Sequence, residues 1–214
     1  MLIIEGASVS YGRRVVMDRV SASLGPDPVA ITGPSGSGKS TLLRVLAGHQ
    51  SLDRGDVTLH GTPVVRRTWS RSSDTRIAFV HQDYQLVPYL KVVDNVRLAC
   101  ELRGVEASAS TALEALGQVG LSPEHADRWP ETLSGGEQQR VAIARAVACG
   151  SDVLIADEPT GALDTETTLQ IAALLTRLAT ERDMLVLVAT HDPVVAEVMP
   201  RRFHLADGRL GELA

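Results

Sequence analysis

The stretch 33–41 reads Gly33-Pro34-Ser35-Gly36-Ser37-Gly38-Lys39-Ser40-Thr41, which sets one lysine and four hydroxyls among three glycines. The spacing fits G-x-x-x-x-G-K-[ST], a pattern whose chemistry is phosphate binding. Glycine allows backbone angles and close approaches that a Cβ would block, so successive N–H groups can turn inward on an anion. The run 29–32 before it is short and apolar, like a buried strand, and 41–48 after it is helix-like and closed by glycine. A strand turning through glycines into a helix N-terminus makes a phosphate cradle. Lys39 is expected on the β- and γ-phosphates of a nucleotide, and Ser40 on Mg²⁺.

Two further groups of residues suggest related chemistry. Asp157-Glu158 ends the apolar run 153–156. Ligands of parallel α/β sheets bind beyond the carboxyl ends of the strands, so Asp157 is placed to hold Mg²⁺ and Glu158 to polarise an attacking water. In Leu133-Ser134-Gly135-Gly136-Glu137-Gln138-Gln139-Arg140, Ser134 is a natural helix cap, and two glycines follow it. Glycines cost helix stability there and leave backbone N–H groups open, which suits a second anion better than packing.

These residues need a scaffold. Loosely alternating runs at 2–10 and 15–24 predict strands, as do 55–61, 76–80, 153–156 and 184–189. Helical spacing predicts helices over 92–103, 110–119, 135–149, 165–182 and 193–198, and a last hairpin turns at Asp207-Gly208. Apolar strands alternating with helices predict an α/β fold with a mostly parallel sheet and helices on both faces. The helical block 83–135 interrupts that pattern and reads as a lobe inserted in an α/β core of 1–82 and 136–214.

Composition narrows the class. The 214 residues carry a net charge of −5, which gives no basic footprint, so no nucleic-acid partner is expected. The basic run 66–71 reads as a solvated loop. Lys39 and Lys91 are the only lysines, consistent with a dedicated place for Lys39. Cys100 and Cys149 are too few for a disulfide framework and are expected as buried small hydrophobes in a reducing cytosol. No signal peptide or membrane-length apolar run is read, so any membrane association is expected through a partner.

With these motifs in order, nearly the whole chain resembles the nucleotide-binding subunit of an ABC transporter. The resemblance implies a P-loop NTPase fold with an N-terminal antiparallel β region and an inserted helical subdomain. Residues 33–41 correspond to Walker A and 153–158 to Walker B, and Leu133-Ser134-Gly135-Gly136-Glu137 to the signature, with Glu137 in place of the commoner Gln. Tyr11 falls at the adenine-stacking position. Gln82 matches the Q-loop glutamine, which serves the reaction centre and Mg²⁺. Asp164 belongs to the D-loop, which would couple the two sites of a dimer, and His191 matches the switch histidine, which would hold the γ-phosphate from the Walker A side. His81 departs from the apolar or aromatic residue usual beside that glutamine, and is expected to be a packing substitution.

The resemblance further implies an ATPase whose two chains pair head to tail, each ATP lying between one chain's Walker A and the other's Ser134, Gly135 and Gly136. The segment 83–90 mixes aromatic and aliphatic residues and is expected to face an integral membrane permease subunit at the inner face of the cell membrane. Residues 85–96 and 157–164 resemble the branch of lipoprotein-releasing, macrolide-exporter-type and FtsE-type cell-division ATPases. The expectation is therefore ATP-driven export, extraction or mechanotransmission, with a regulator of cell-wall hydrolases as the alternative. A soluble ABC ATPase acting on DNA or ribosomes is disfavoured by length and charge.

Overall fold

The structure, a computed structural model, describes residues 1–64 and 74–213, so the basic run 66–71 lies outside it. Two sheets form. The first is antiparallel, in the order β2 (Arg14–Leu24), β1 (Leu2–Tyr11), β4 (Arg54–Leu59), β5 (Thr62–Pro63). The second has six strands, in the order β10 (Arg209–Leu213), β9 (Arg201–Ala206), β3 (Val29–Thr32), β8 (Leu185–Ala189), β7 (Val153–Asp157), β6 (Ile77–Val80). All its pairings are parallel except the β9–β10 hairpin.

The continuous apolar strands follow from a sheet covered on both sides, since successive side chains point to opposite faces. Leu154, Ala156, Val186 and Val188 enter a core with Val141, Ile143 and Leu175. Val153, Ile155, Leu185 and Leu187 enter the other, with Leu42, Leu46, Leu2 and Ile4. The first face is covered by α4 (Gly135–Ala148), α5 (Thr165–Arg182) and α6 (Pro193–Val198). The second is covered by α1 (Lys39–Leu46) together with the antiparallel sheet, not by helices alone as the pattern suggested. The physical reason is that β1, β2 and β4 each carry one apolar face, and this face of the large sheet is where they bury it.

Between β6 and α4 run α2 (Val92–Glu101) and α3 (Ala109–Gln118). Ser108 caps α3 by accepting from the Thr111 N–H. Asn95 is buried, and its side chain ties down the preceding turn by bonding Val87 N–H and the carbonyls of Val87 and Leu90.

Register places the site. Ile31 pairs with Ala189, Asp157 with Ala189, and Val80 with Ala156. The residues that follow these strand ends therefore leave one edge of the sheet together: the 33–38 loop, His81-Gln82, Glu158 and Thr190-His191. This is the carboxyl edge, where α/β sheets bind ligands.

Candidate functional site

The 33–38 loop is shaped by glycine. Gly33 (φ +145°) packs so closely that a Cβ would lie 2.2 Å from the Leu205 carbonyl oxygen. Gly38 (φ +104°) caps α1 in the left-handed region, and a Cβ there would meet Val16 Cγ1 at 2.7 Å. Lys39 is buried, and its Nζ donates to the carbonyls of Gly33 at 2.8 Å and Pro34 at 3.2 Å, which holds the ammonium inside the loop. The Ser37 hydroxyl is buried without a hydrogen-bond partner among the described residues, an orphan that a phosphate oxygen would satisfy. Ser40 and Thr41 occupy the first turn of α1, whose N–H groups carry the positive end of the helix dipole. These features fit a bound nucleotide phosphate.

Glu158 stands at φ +49°, a left-handed angle rarely adopted outside glycine and of the kind found at functional sites. Its N–H donates to the Ala189 carbonyl, and its Oε2 lies 2.9 Å from His191 Nδ1. Glu158 is largely shielded at 18% side-chain exposure, whereas His191 is open at 72%. Asp157, half-buried, ends β7 one residue earlier. Gln82 comes against the same loop, with its Nε2 3.2 Å from where a Cβ of Gly161 would be. The structure thus gathers Lys39, Asp157, Glu158, His191 and Gln82 around one edge.

Tyr11 lies at the end of β1, about half exposed, with its hydroxyl donating to Gln50 Oε1 at 3.3 Å. The ring is open to solvent. Arg14, which sequence reasoning passed over, donates to the Gly36 carbonyl and links the β1–β2 turn to the phosphate loop. Its signal was only its place two residues past a turn glycine.

Ser134 caps α4 in a complete capping box. Its hydroxyl accepts from Glu137 N–H at 3.3 Å, and Glu137 Oε2 accepts from Ser134 N–H at 2.7 Å. Glu137 Oε1 lies 2.9 Å from His125 Nε2. The Ser134 N–H holds the Glu137 carboxyl below the usual carboxylate range, with His125 assisting. Glu137 in place of the commoner Gln therefore serves the cap. His125, which lies in no motif of the sequence, is its partner. The N–H groups of Gly135 and Gly136 keep no intrahelical acceptor, as in any first turn.

Gly136 is buried, and a Cβ there would lie 2.5 Å from Thr167 Cγ2. Packing was the less favoured reading of this glycine pair, yet it accounts for Gly136 directly. Asp164 caps α5 with bonds from Thr167 N–H at 2.9 Å and Thr167 Oγ1 at 2.7 Å, and these bonds hold its carboxyl below the ordinary range. Exposed on this edge, it meets the signature turn through Thr167 and the neighbouring Leu163.

Residues 83–90 divide. Tyr84 and Leu86 pack against the core, while Tyr89 is 85% exposed. Tyr84 and Gln85 both have positive φ, and Arg145 of α4 holds the turn by donating to both carbonyls. A cavity of about 240 Å³ lies beside it, lined among others by His49, Phe79, His81, Gln85, Arg103 and Cys149. His81 packs against Phe79 in a tilted arrangement, ring centroids 4.5 Å apart and planes at 45°, in keeping with a packing role. Among the described residues no helix is long and apolar enough to cross a membrane.

A phosphate loop after β3, a carboxylate pair at the end of β7 and a capped glycine turn define a P-loop ATPase cassette. A family model described as ABC transporter matches residues 17–161. The ABC transporter ATP-binding protein YtrE of Bacillus subtilis is 38% identical over 91% of this chain and 87% of its own length. The lipoprotein-releasing system ATP-binding protein LolD 1 of Rhodopirellula baltica is 40% identical over 98% and 96%. The aliphatic sulfonates import ATP-binding protein SsuB 3 of Nocardia farcinica is 43% identical over 98% and 78%. Among solved structures, the dimeric bacterial ABC cassette MJ0796 matches with a TM-score of 0.83 and 33% identity, covering 100% of this chain and 99% of that one. A second structure of MJ0796, described as a post-hydrolysis state bound to ADP and Pi, matches with the same score. The chain belongs to the ABC transporter family and is an ABC ATPase of the transporter-subunit type.

Proposed function

We propose that the chain works as the ATP-binding and ATP-hydrolysing subunit of a bacterial ABC complex, as a head-to-tail dimer that drives an integral membrane partner. Closure on ATP and reopening after hydrolysis power export, extraction or mechanotransmission by that partner. The observation that carries the ATPase chemistry is Glu158 held by His191 at the sheet edge beside the Lys39 loop. Supporting the branch is near full-length similarity to a lipoprotein-releasing subunit.

In this reading the N–H groups of 33–41 and Lys39 bind the phosphates, Ser35 and Ser37 supply hydroxyls, and Tyr11 stacks on adenine. Ser40, Asp157 and Gln82 hold Mg²⁺, which supplies charge neutralisation on the phosphate oxygens. Magnesium suits such a sparse set of hard oxygen ligands because it keeps waters and substrate phosphates in its shell. Glu158 orients and deprotonates the attacking water while His191 fixes the carboxylate. Ser134, Gly135 and Gly136 meet the phosphate held by the second copy, and Asp164, through its contact with Thr167 beside that turn, couples the two sites. Residues 83–135 form the helical subdomain. Tyr89 and the cavity beside Tyr84-Gln85 receive the membrane partner, which holds the chain at the inner face of the cell membrane.

An import system is the second reading, favoured by the similarity to the sulfonate-import subunit. The experiment is site-specific photocrosslinking from Tyr84, Leu86 and Tyr89 in cells. An integral membrane protein captured from Tyr89 supports the proposal, and its identity separates export from import. Capture of soluble proteins or nucleic acid alone overturns it.

A further inference from the structure

Cys100 lies in the last turn of α2, and Cys149 is the C-cap residue of α4. The two sulfurs are 3.3 Å apart, and both thiols are free. They form a small apolar cluster with Ala107, with Ala99, Val105 and Ala148 packed against it. The surroundings of the two sulfurs differ. Cys100 is fully buried, whereas Cys149 retains slight exposure and lines the cavity with His49, His81 and Arg103.

We propose that Cys100 and Cys149 are a peroxide-oxidisable dithiol whose disulfide ties the end of α2 to the end of α4 on the wall of this cavity. Disulfide sulfurs sit about 2.05 Å apart, so the pair closes by a shift of little more than an ångström. The position gives the bond a consequence. The start of α2 at Val92 is separated from the 83–90 segment only by its N-cap Lys91, and α4 begins at the signature turn. A covalent bond at the far ends of both helices fixes how one lies against the other.

The chemistry balances with a hydroperoxide as oxidant. The Cys149 thiolate attacks one peroxide oxygen, an S–O bond forms and the O–O bond breaks. The departing alkoxide takes up the proton that Cys149 released. The Cys100 sulfur then attacks Cys149 sulfur, the S–S bond forms, and hydroxide leaves with the Cys100 proton as water. Two thiols lose two electrons and two protons, and the peroxide becomes alcohol and water. Burial and the neighbouring thiol push Cys100 up to about 12, so the first attack falls to the sulfur on the cavity. The second step is intramolecular between sulfurs already in contact, which offsets the low thiolate fraction of Cys100.

The test treats the full-length native chain with hydrogen peroxide, quenches it, and measures intact mass and free thiols after denaturation. The expected result is loss of both thiols and of about 2 Da within one chain, restored by dithiothreitol. Retention of both thiols, gain of oxygen without cross-linking, or a cross-link only between chains overturns the proposal. A sulfenic-acid probe, dimedone, then separates the roles. C100S is expected to trap an adduct at Cys149, and C149S none at Cys100; the reverse pattern overturns the order of attack. The wild-type mass readout decides the disulfide even where a variant folds poorly.

Discussion

His191 Nδ1 lies 2.9 Å from Glu158 Oε2, and the backbone N–H of His191 donates to that same oxygen at 3.3 Å. Both bonds converge on one carboxylate oxygen. The other, Oε1, has no protein hydrogen bond among the described residues, which under the proposed function leaves it for the attacking water. The chain reaches this geometry through a non-glycine residue in the left-handed region, held by a ladder bond from Glu158 N–H to Ala189.

Glu158→Gln should therefore separate binding from turnover. The amide oxygen still accepts from His191 N–H, so the fold and nucleotide affinity should be retained. A general base contributes about 10²- to 10⁴-fold, so kcat should fall at least about 100-fold. Steady-state phosphate release and equilibrium ATP binding measure the two effects. Size-exclusion chromatography with ATP should also show the variant accumulating as a dimer. Turnover within twofold of wild type would remove Glu158 from the base role.

Lys39→Ala removes the ammonium that Gly33 and Pro34 hold inside the loop. Hydrogen bonds to charged groups contribute about 1.5–3 kcal/mol, so nucleotide affinity should weaken about 10- to 100-fold. Titration calorimetry with ATP and Mg²⁺ measures it. Unchanged affinity would take the phosphates away from this loop.

Much of this site was legible because its signals are local. A glycine-lysine loop between a strand and a helix carries its mechanism in its spacing, and 153–158 announces an acid pair at a strand end. Glu158 meeting His191 is a contact across 33 residues, created by parallel pairing of β7 and β8. The resemblance gave those two residues separate roles, Glu158 on the water and His191 on the phosphate, and did not pair them. The antiparallel sheet was readable strand by strand, but which face of the large sheet it would cover depends on packing that periodicity does not encode. Gly136 shows the same limit. Its lack of a Cβ pointed to an open anion site, while its closest constraint is the methyl group of Thr167, some thirty residues further along. The Arg145 anchor on the Tyr84-Gln85 turn left no trace in spacing.

The cap on α4 gives a pH dependence whose sign is fixed. Glu137 is held below its ordinary value of 4.5, chiefly by the Ser134 N–H and secondarily by His125. A depressed carboxylate stabilises the folded chain above its unfolded value, and this contribution is lost as pH falls through the folded value. Tm should therefore drop below about pH 4.5 partly through this group. Glu137→Gln keeps an acceptor for Ser134 N–H but cannot titrate, so its Tm should fall less steeply between pH 5 and pH 3 (a window spanning about one to two units around the ordinary value). Differential scanning calorimetry across that range checks it, and parallel acid slopes would refute the assignment.

Gly135 and Gly136 are neighbours with opposite constraints, which allows packing to be tested against phosphate binding. A Cβ on Gly136 would meet Thr167 Cγ2 at 2.5 Å, and the Thr167 side chain cannot swing away without giving up its hydroxyl bond to Asp164. Gly136→Ala should destabilise by about 1–3 kcal/mol, as overpacking does. Thr167→Ser removes the methyl and keeps the hydroxyl, so the double variant should recover most of that loss, a coupling readable in a double-mutant cycle. A Cβ on Gly135 meets only the ends of Leu163 and Tyr84, at 3.2 and 3.3 Å. Those side chains can yield, and alanine is the better helix former by about 1 kcal/mol, so Gly135→Ala should be near neutral in Tm. If the glycine turn also meets the phosphate of a second copy, ATPase activity should fall in Gly136→Ala and stay low in the double variant that has regained its stability. Activity that returns together with Tm would show that Gly136 serves the α4–α5 contact alone.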